Sequence, residues 1–358
     1  MTLLGRWLVA QVGRAALAAW AIASLVFLLS RLDSAKATDL LLSEVDSLNS
    51  TALRTDTDAT QRQARQAIKQ RLGLEAPLFY VTRTQQVGVV KWHWHGLHNQ
   101  YHQWLVGLLH GQLGLSFRDG QPIGPRWRAA LAYTLPLTGL ATLGAIAGAL
   151  LLGLTLAGGP SAPALSGWRA GLHTLLTGLQ ALPLFALALG LLFTLANPDM
   201  LNILPAYAGS ADTDELWDQQ ALRLVLPVLA LVLAVLPELA LLLAHTLRHE
   251  LGSDYATTAR AKGLSNRQLL QKHALPNAIL PLLTAFAGLL PTLVAGAVVV
   301  EKIFSVPGTG RLLAEAVAMH DYPVVVAGVL LTALARLLAL ALADALYAWA
   351  DPRIRLLS

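Results

Sequence analysis

Gly252-Ser253-Asp254-Tyr255-Ala256-Thr257-Thr258-Ala259-Arg260-Ala261-Lys262-Gly263-Leu264-Ser265, continuing to His273-Ala274-Leu275-Pro276, is a polar island between two long apolar segments. Ser253 can cap a helix whose first turn holds Asp254, where a negative charge suits the positive end of the helix dipole. Arg260 and Lys262 fall in the last turn, which favours cations, and Gly263 supplies the left-handed residue that ends it. Ser265 with Gln268 three residues on makes a capping box, so a second helix is expected to about His273, before Leu275-Pro276 leads into the next apolar span. Two short helices about a glycine, lying at a membrane surface, present a small basic ridge to a partner. The stretch reads as a docking loop and not as a catalytic one.

The flanking segments set the compartment. Apolar residues make up 55% of the chain and charged residues 13%, about half the charged share of a soluble domain. The chain therefore reads as an all-α integral membrane protein. With no cysteine, a disulfide framework and a thiolate site are excluded. A net charge of +5 spread thinly over 358 residues argues against nucleic acid as a partner.

A helix crossing hydrocarbon needs about 20 mostly apolar residues, and charge gaps place six of them. They lie near residues 8–30, 132–157, 170–196, 222–245, 277–300 and 324–349. Arg14 near the inner end of the first can snorkel to the interface. The apolar run continues through Leu29, past the Ala21-Ile22-Ala23 triplet, which argues for a retained anchor over a cleaved signal peptide. A break at Gly158-Gly159-Pro160-Ser161-Ala162-Pro163 separates the second span from the third.

Basic residues in short loops orient the bundle. The loop from 246 to 275 holds Arg248, Arg260, Lys262, Arg267 and Lys272, whereas the loop from 197 to 221 holds acids and neither Lys nor Arg. The first is expected inside and the second outside, which puts both termini in the cytoplasm, in agreement with Arg353 and Arg355. Three regions follow: residues 1–30 with the first span, an external segment from 31 to 131, and a transmembrane core from 132 to 358. The external segment is too long for the charge rule to govern. Within it Gln61 to Arg71 reads as a polar helix ending at Gly73, and Asn49 to Thr60 as a loop.

The docking loop, with this wording, resembles the coupling loop of permease subunits in binding-protein-dependent ABC importers. That family's pattern is Glu-Ala-Ala, three residues, Gly, then nine residues before a motif ending in Leu-Pro. Here Thr257-Thr258-Ala259 stands at the triplet, Gly263 at the glycine and Leu275-Pro276 at the end; the Glu and the first Ala are absent. Thr258-Ala259-Arg260-Ala261-Lys262-Gly263-Leu264-Ser265 is instead similar to the oligopeptide, dipeptide and nickel branch. Val298-Val299-Val300-Glu301, Phe304, Pro307-Gly308-Thr309-Gly310-Arg311-Leu312-Leu313, Asp321-Tyr322-Pro323 and Asp351-Pro352-Arg353-Ile354-Arg355 resemble that branch too. So do, upstream, Arg71-Leu72-Gly73-Leu74-Glu75-Ala76-Pro77-Leu78, Gly111-Gln112-Leu113-Gly114-Leu115-Ser116 and Thr134-Leu135-Pro136. After Arg31-Leu32 the family continues Pro-Gly-Asp-Pro, where this chain has Asp33-Ser34-Ala35-Lys36.

The resemblance implies a multi-pass permease subunit of a bacterial plasma (inner) membrane, forming the path for peptides or a related small solute. It implies a second homologous permease, an external solute-binding protein and two cytoplasmic ATPases that bring ATP and Mg, with no cofactor on this chain. Thr257 to Ser265, namely Thr257, Thr258, Ala259, Arg260, Ala261, Lys262, Gly263, Leu264 and Ser265, would then be the ATPase-coupling residues. The chain has no Gly-x-x-x-x-Gly-Lys-Ser/Thr phosphate loop of its own, so the energy must come from elsewhere. His-Glu-x-x-His and Gly-x-Ser-x-Gly are also absent, which weakens an intramembrane hydrolase.

Two clusters admit more than one reading. In Trp92-His93-Trp94-His95-Gly96-Leu97-His98-Asn99-Gln100-Tyr101-His102, a helix would put His98 and His102 on one side and a strand would do the same for His93 and His95, a geometry open to a metal. Interleaved Trp, Tyr and His also form interfacial belts or subunit contacts. Glu238, Arg336 and Asp344 lie inside spans, where an ionisable group either lines a path or pairs across the bundle. A nickel or metal-chelate importer shares the scaffold, and a channel or membrane enzyme would need no ATPase.

Overall fold

The computed structural model describes residues 13–14, 16–25, 27–28, 76–86, 89–157, 167–205 and 217–350. The expected polar helix at 61–71, the loop at 49–60, the break at 158–163 and the closing Asp351-Pro352-Arg353 lie outside the described residues. Helices dominate: α1 (Ala16–Leu25), α2 (Gln100–Leu109), α3 (Ile123–Ala157), α4 (Trp168–Gln180), α5 (Leu184–Leu195) and α6 (Trp217–Leu251). They continue as α7 (Asp254–Ala261), α8 (Asn266–Leu269), a π-helical turn at Leu270–Ala274, α9 (Leu275–Ile303), α10 (Thr309–Ala318) and α11 (Tyr322–Ala350).

One hairpin corrects the all-α expectation. Strands β1 (Val81–Gln86) and β2 (Val89–Trp94) pair antiparallel, Val81 opposite Trp94. Val81, Thr82, Trp92 and Trp94 supply β-branched and aromatic side chains that suit a pleated ribbon.

Among the described residues two helices are long and apolar enough to cross a membrane, Ile123–Ala157 and Leu222–Leu251. The third expected span is not one rod: α4 and α5 are bent by 108° at the break between them. Pro183 stands at the N-cap of α5. Its missing N–H cannot continue the helix from α4, and its ring pushes the preceding Leu182 away from helical angles.

The chain divides into two compact units, one built on Ala130–Arg311 with Leu334 onward, the other on Arg14–Ala129 with Leu312–Ala333. In the first, α6 packs against α4, α5 and α9, with Leu226, Leu231, Leu239, Leu243 and Leu247 fully buried. In lipid, apolar burial alone does not drive helices together, so close van der Waals contact must. A row of small residues on α3 provides it: Ala141, Ala145 and Ala149 are buried, and Gly144 faces Val232 while Gly148 faces Leu236. A Cβ on Gly148 would come within 2.7 Å of Leu236, and one on Gly153 within 2.8 Å of Leu243. These glycines seat one face of α6 against α3.

The second unit has two anchors. Phe27, just beyond α1, is 1% exposed and meets the rings of Tyr101 and Trp104 on α2 and of Phe79, while the hydroxyls of Ser24 and Tyr101 share a hydrogen bond of 2.7 Å. Elsewhere Ile123, Trp127, Val324 and Ala327 form an apolar core. There the buried Asp321 carboxylate accepts from the Ser116 hydroxyl at 2.5 Å and the Phe117 N–H at 3.0 Å. That pair ties the Gly111-to-Gln121 loop to the start of α11.

Candidate functional site

The docking loop is two short helices about a glycine, seated by a few buried side chains. Ala256 on α7, Leu269 on α8 and Ala274 on the π turn are wholly buried with Leu247 and Leu251 of α6. Thr257, Thr258, Ala261, Lys262, Gly263, Ser265 and Arg267 are exposed. Gly263 has φ +85°, and a Cβ there would meet nothing within 4 Å. Glycine is thus required by its left-handed backbone and not by crowding within this chain.

Local capping follows the sequence in part. The Ser265 N–H donates to Gln268 Oε1 at 3.0 Å and the Gln268 N–H to Ser265 Oγ at 3.3 Å, the reciprocal box. Ser253 occupies the N-cap of α7, but its hydroxyl donates back to the Glu250 carbonyl at 2.7 Å and caps no N–H. The second helix does not stop near His273: the π turn at Leu270–Ala274 runs straight into α9, whose first turn contains Pro276. A proline clashes with the carbonyl four residues back and offers it no donor; a wider turn there lets the helix pass without a break.

Arg260 departs from the expected basic ridge. It turns inward, and its Nη2 donates to the Leu251 carbonyl at 2.6 Å, while its Nε is buried with no acceptor among the described residues. Arg248 does likewise for α3, donating from Nη2 to the Leu156 carbonyl at 2.6 Å. Both satisfy carbonyls left open at a helix C-terminus. Lys262, Arg267 and Lys272 remain as exposed cations.

Glu250 was not singled out from the sequence, yet it links three elements. From the last turn of α6 its Oε2 accepts the Tyr255 hydroxyl of α7 at 2.6 Å and the Asn277 amide of α9 at 3.1 Å. Partial burial, and then the hydrogen bond to Glu250, push the Tyr255 phenol above its ordinary value, so it remains a donor throughout the neutral range. The helix entering the loop, the loop's first helix and the helix leaving it are held at one carboxylate.

At the other end of α9 stands a second polar knot. Glu301 is wholly buried. Its carboxylate accepts the Thr134 hydroxyl of α3 at 2.6 Å and the Arg311 N–H of α10 at 3.0 Å. The Thr309 N–H donates to the same Thr134 oxygen at 2.8 Å. A carboxylate at the N-terminus of α10 meets unpaired N–H groups and the positive end of the dipole. Gly308 lies so close to the carboxylate that any Cβ there would collide with it, and a Cβ on Gly310 would stand 2.5 Å from Val298 Cα. The motif from Val298 to Arg311 is thereby a cap, a knot and two glycines that let the chain close on it.

Of the charges in spans, Glu238 is exposed midway along α6 and makes no hydrogen bond or ion pair among the described residues. Arg336 on α11 is also exposed, with no ion pair to a described residue. Nothing is described of the Asp344 side chain. The four histidines do not converge. His93 is exposed on β2, His95 Nε2 lies 2.7 Å from Thr82 Oγ1 and His102 Nδ1 3.1 Å from the Tyr80 hydroxyl. His98 precedes α2, so it shares no helix face with His102.

Residues 149–356 match the family described as binding-protein-dependent transport system inner membrane component. The chain is similar to the di/tripeptide transport system permease protein of Pseudomonas aeruginosa, 35% identical over 274 residues, which are 72% of this chain and 81% of that protein. It is similar to the glutathione transport system permease protein of Pectobacterium atrosepticum, 36% identical over 261 residues, 72% of this chain and 80% of that protein. It is also similar to the oligopeptide transport system permease protein of Bacillus subtilis, 33% identical over 260 residues, 71% of this chain and 79% of that one.

Proposed function

This chain belongs to the binding-protein-dependent transport system inner membrane components, and from that premise we propose that it is one of two permease subunits enclosing a path for peptides. Its relatives are named for di- and tripeptides, oligopeptides and glutathione, which supports a peptidic cargo. Six spans are proposed, with both termini in the cytoplasm, the segment from 31 to 131 outside, and the core from 132 to 358 carrying the coupling loop at 246–275. Two cytoplasmic ATPases bring ATP and Mg, and an external binding protein delivers the solute.

The observation that carries this reading is the build of the coupling loop. Its outer face is open at Thr257, Thr258, Ala261, Lys262 and Gly263. Its inner face is fixed to α6 and α9 through Ala256, Arg260, Tyr255 and Glu250. A push on the outer face by a closing ATPase has no slack to take up within the loop, so it displaces α6 and α9 together, as rigid-body switching requires. No catalytic side chain is needed.

The test is co-purification of the tagged chain in mild detergent, with partners identified by mass spectrometry. A second permease and two ATPases are expected, and they are expected to be lost with Gly263→Arg while the chain still inserts. The open space at Gly263 lets an arginine fit this chain, so its cost falls on the partner and, for a left-handed residue, about 1–2 kcal/mol on the backbone. A folded chain recovered alone, or full ATP-driven transport by Gly263→Arg, would count against the proposal.

A further inference from the structure

One face of α6 is fixed and another is left open. Val232, Leu236 and Leu243 sit against Gly144, Gly148 and Gly153 of α3. At about 100° per residue, the direction of Glu238 is turned about 140° from that packed row. His245 and His249, seven and eleven residues further on, fall within about 20° of Glu238. All three are exposed. The row has a definite upper end, because Leu231, one step of seven before Glu238, is 1% exposed. It therefore begins in mid-helix and runs about 16 Å toward the coupling loop.

A carboxylate and two imidazoles along one open face of a membrane helix are costly against lipid, at a few kcal/mol for the acid alone. Water, or a solute travelling with it, removes that cost. Glu238 differs here from Glu301, whose carboxylate has its full set of donors within the chain. Glu238 is acceptor-only when ionised and has no donor among the described residues, which leaves its oxygens free for a donor from beyond them. No lysine or arginine lies on the row. An anion is repelled there and a protonated amine is attracted.

We infer that Glu238, His245 and His249 form a polar lane down the open face of α6, lining the aqueous path, and that Glu238 receives the protonated amino group of the travelling solute. The inference rests on the permease reading and adds to it both a side of the path and a chemical class of cargo. The ring nitrogens of the two histidines supply hydrogen-bonding groups along which the solute's amide groups can step.

The absence of cysteine in the chain makes the lane directly readable. E238C, H245C and H249C each introduce one thiol, with L243C on the packed face, where Leu243 is wholly buried, as the reference. The assembled complex in lipid nanodiscs is treated with a membrane-impermeant cationic thiosulfonate, and modification of this chain is read by intact mass. All three lane positions are expected to react while position 243 does not, and Ala-Ala, but not N-acetyl-Ala-Ala, is expected to slow the reaction at 245, where Glu238 is intact. In proteoliposomes Glu238→Gln should raise the KM for Ala-Ala uptake about tenfold or more, as loss of a charge-assisted contact does, and leave that for the N-acetyl peptide unchanged.

Thiols unreactive at all three positions would mean that lipid or the second permease covers the face, and would overturn the lane. Reactive thiols with equal protection by both peptides, or an unchanged KM in Glu238→Gln, would overturn the assignment of the amino group. If the parent complex moves no Ala-Ala with ATP, the peptide reading fails on its own. The lane is then still decided by thiol reactivity and protection, which need neither nucleotide nor transport.

Discussion

Glu301 and Glu238 are both carboxylates on long apolar helices, and they are opposites. Glu301 is wholly buried and accepts from Thr134 and from the first turn of α10; Glu238 is exposed and accepts from nothing described in its own chain. The first ties α3 and the start of α10 to the end of α9. The second stands in mid-helix with no such partner among the described residues. An acid in a membrane helix is thus judged by its donors, not by its depth: a full set marks a structural group, and an empty set marks one that awaits a partner or a solute.

The contrast breaks most sharply at the buried member. Glu301→Ala leaves the Arg311 N–H without its acceptor in a closed site and the Thr134 hydroxyl with only the longer contact to the Ala130 carbonyl at 3.3 Å, a loss on the order of 3 kcal/mol. A clear fall in melting temperature of the purified chain in detergent is expected; melting unchanged from the parent would dissolve the distinction. Gly310→Ala comes next, since its Cβ would meet Val298 backbone at 2.5 Å; overpacking of about 1–3 kcal/mol is expected in the same assay. A melting temperature equal to the parent's would mean that the close approach of α9 and α10 can relax freely.

The open member should behave the other way. Glu238→Gln is expected to change stability by less than about 0.5 kcal/mol, as an exposed substitution does, while impairing uptake. If it melts early instead, Glu238 belongs with Glu301. Tyr255→Phe gives the smallest effect. The contact to Glu250 is exposed and worth at most about 1 kcal/mol, so the expected result is near-parent melting with less transport per ATP hydrolysed. The raised phenol keeps this contact whole below the ordinary phenol value and loses it only as pH rises beyond its own, so coupling through it should be flat across neutral pH. A drop in coupling between neutral and mildly alkaline pH, absent in Tyr255→Phe, would show that the hydroxyl titrates earlier than its setting implies.

Much of the coupling loop was legible residue by residue. Gly263 as a left-handed helix end and Ser265 with Gln268 as a box are decided within five residues of chain, and such short-range choices leave their mark in local sequence. Arg260 was misread because its spacing fits an exposed cation as well as an inward one. Only the nearby end of α6, with a bare Leu251 carbonyl, draws it in. The hairpin at 81–94 was missed although its alternation was present, since the apolar content of the whole chain favoured helices. The bend at Pro183 was masked because residues 170–196 carry no Asp, Glu, Lys or Arg on either side of it.

What the sequence by itself determined is therefore the membrane character, the family, and the local form of the docking loop, because composition, ordered motifs and capping pairs are properties of neighbours along the chain. Tertiary structure alone decided which carboxylates are held and which are open. Glu250 meets Asn277 across 27 positions and Glu301 meets Thr134 across 167, and whether Glu238 faces a neighbour depends on how α3 seats the opposite side of α6. A side chain's cost in a membrane is set by the groups that packing brings to it, and packing joins residues that the sequence keeps far apart.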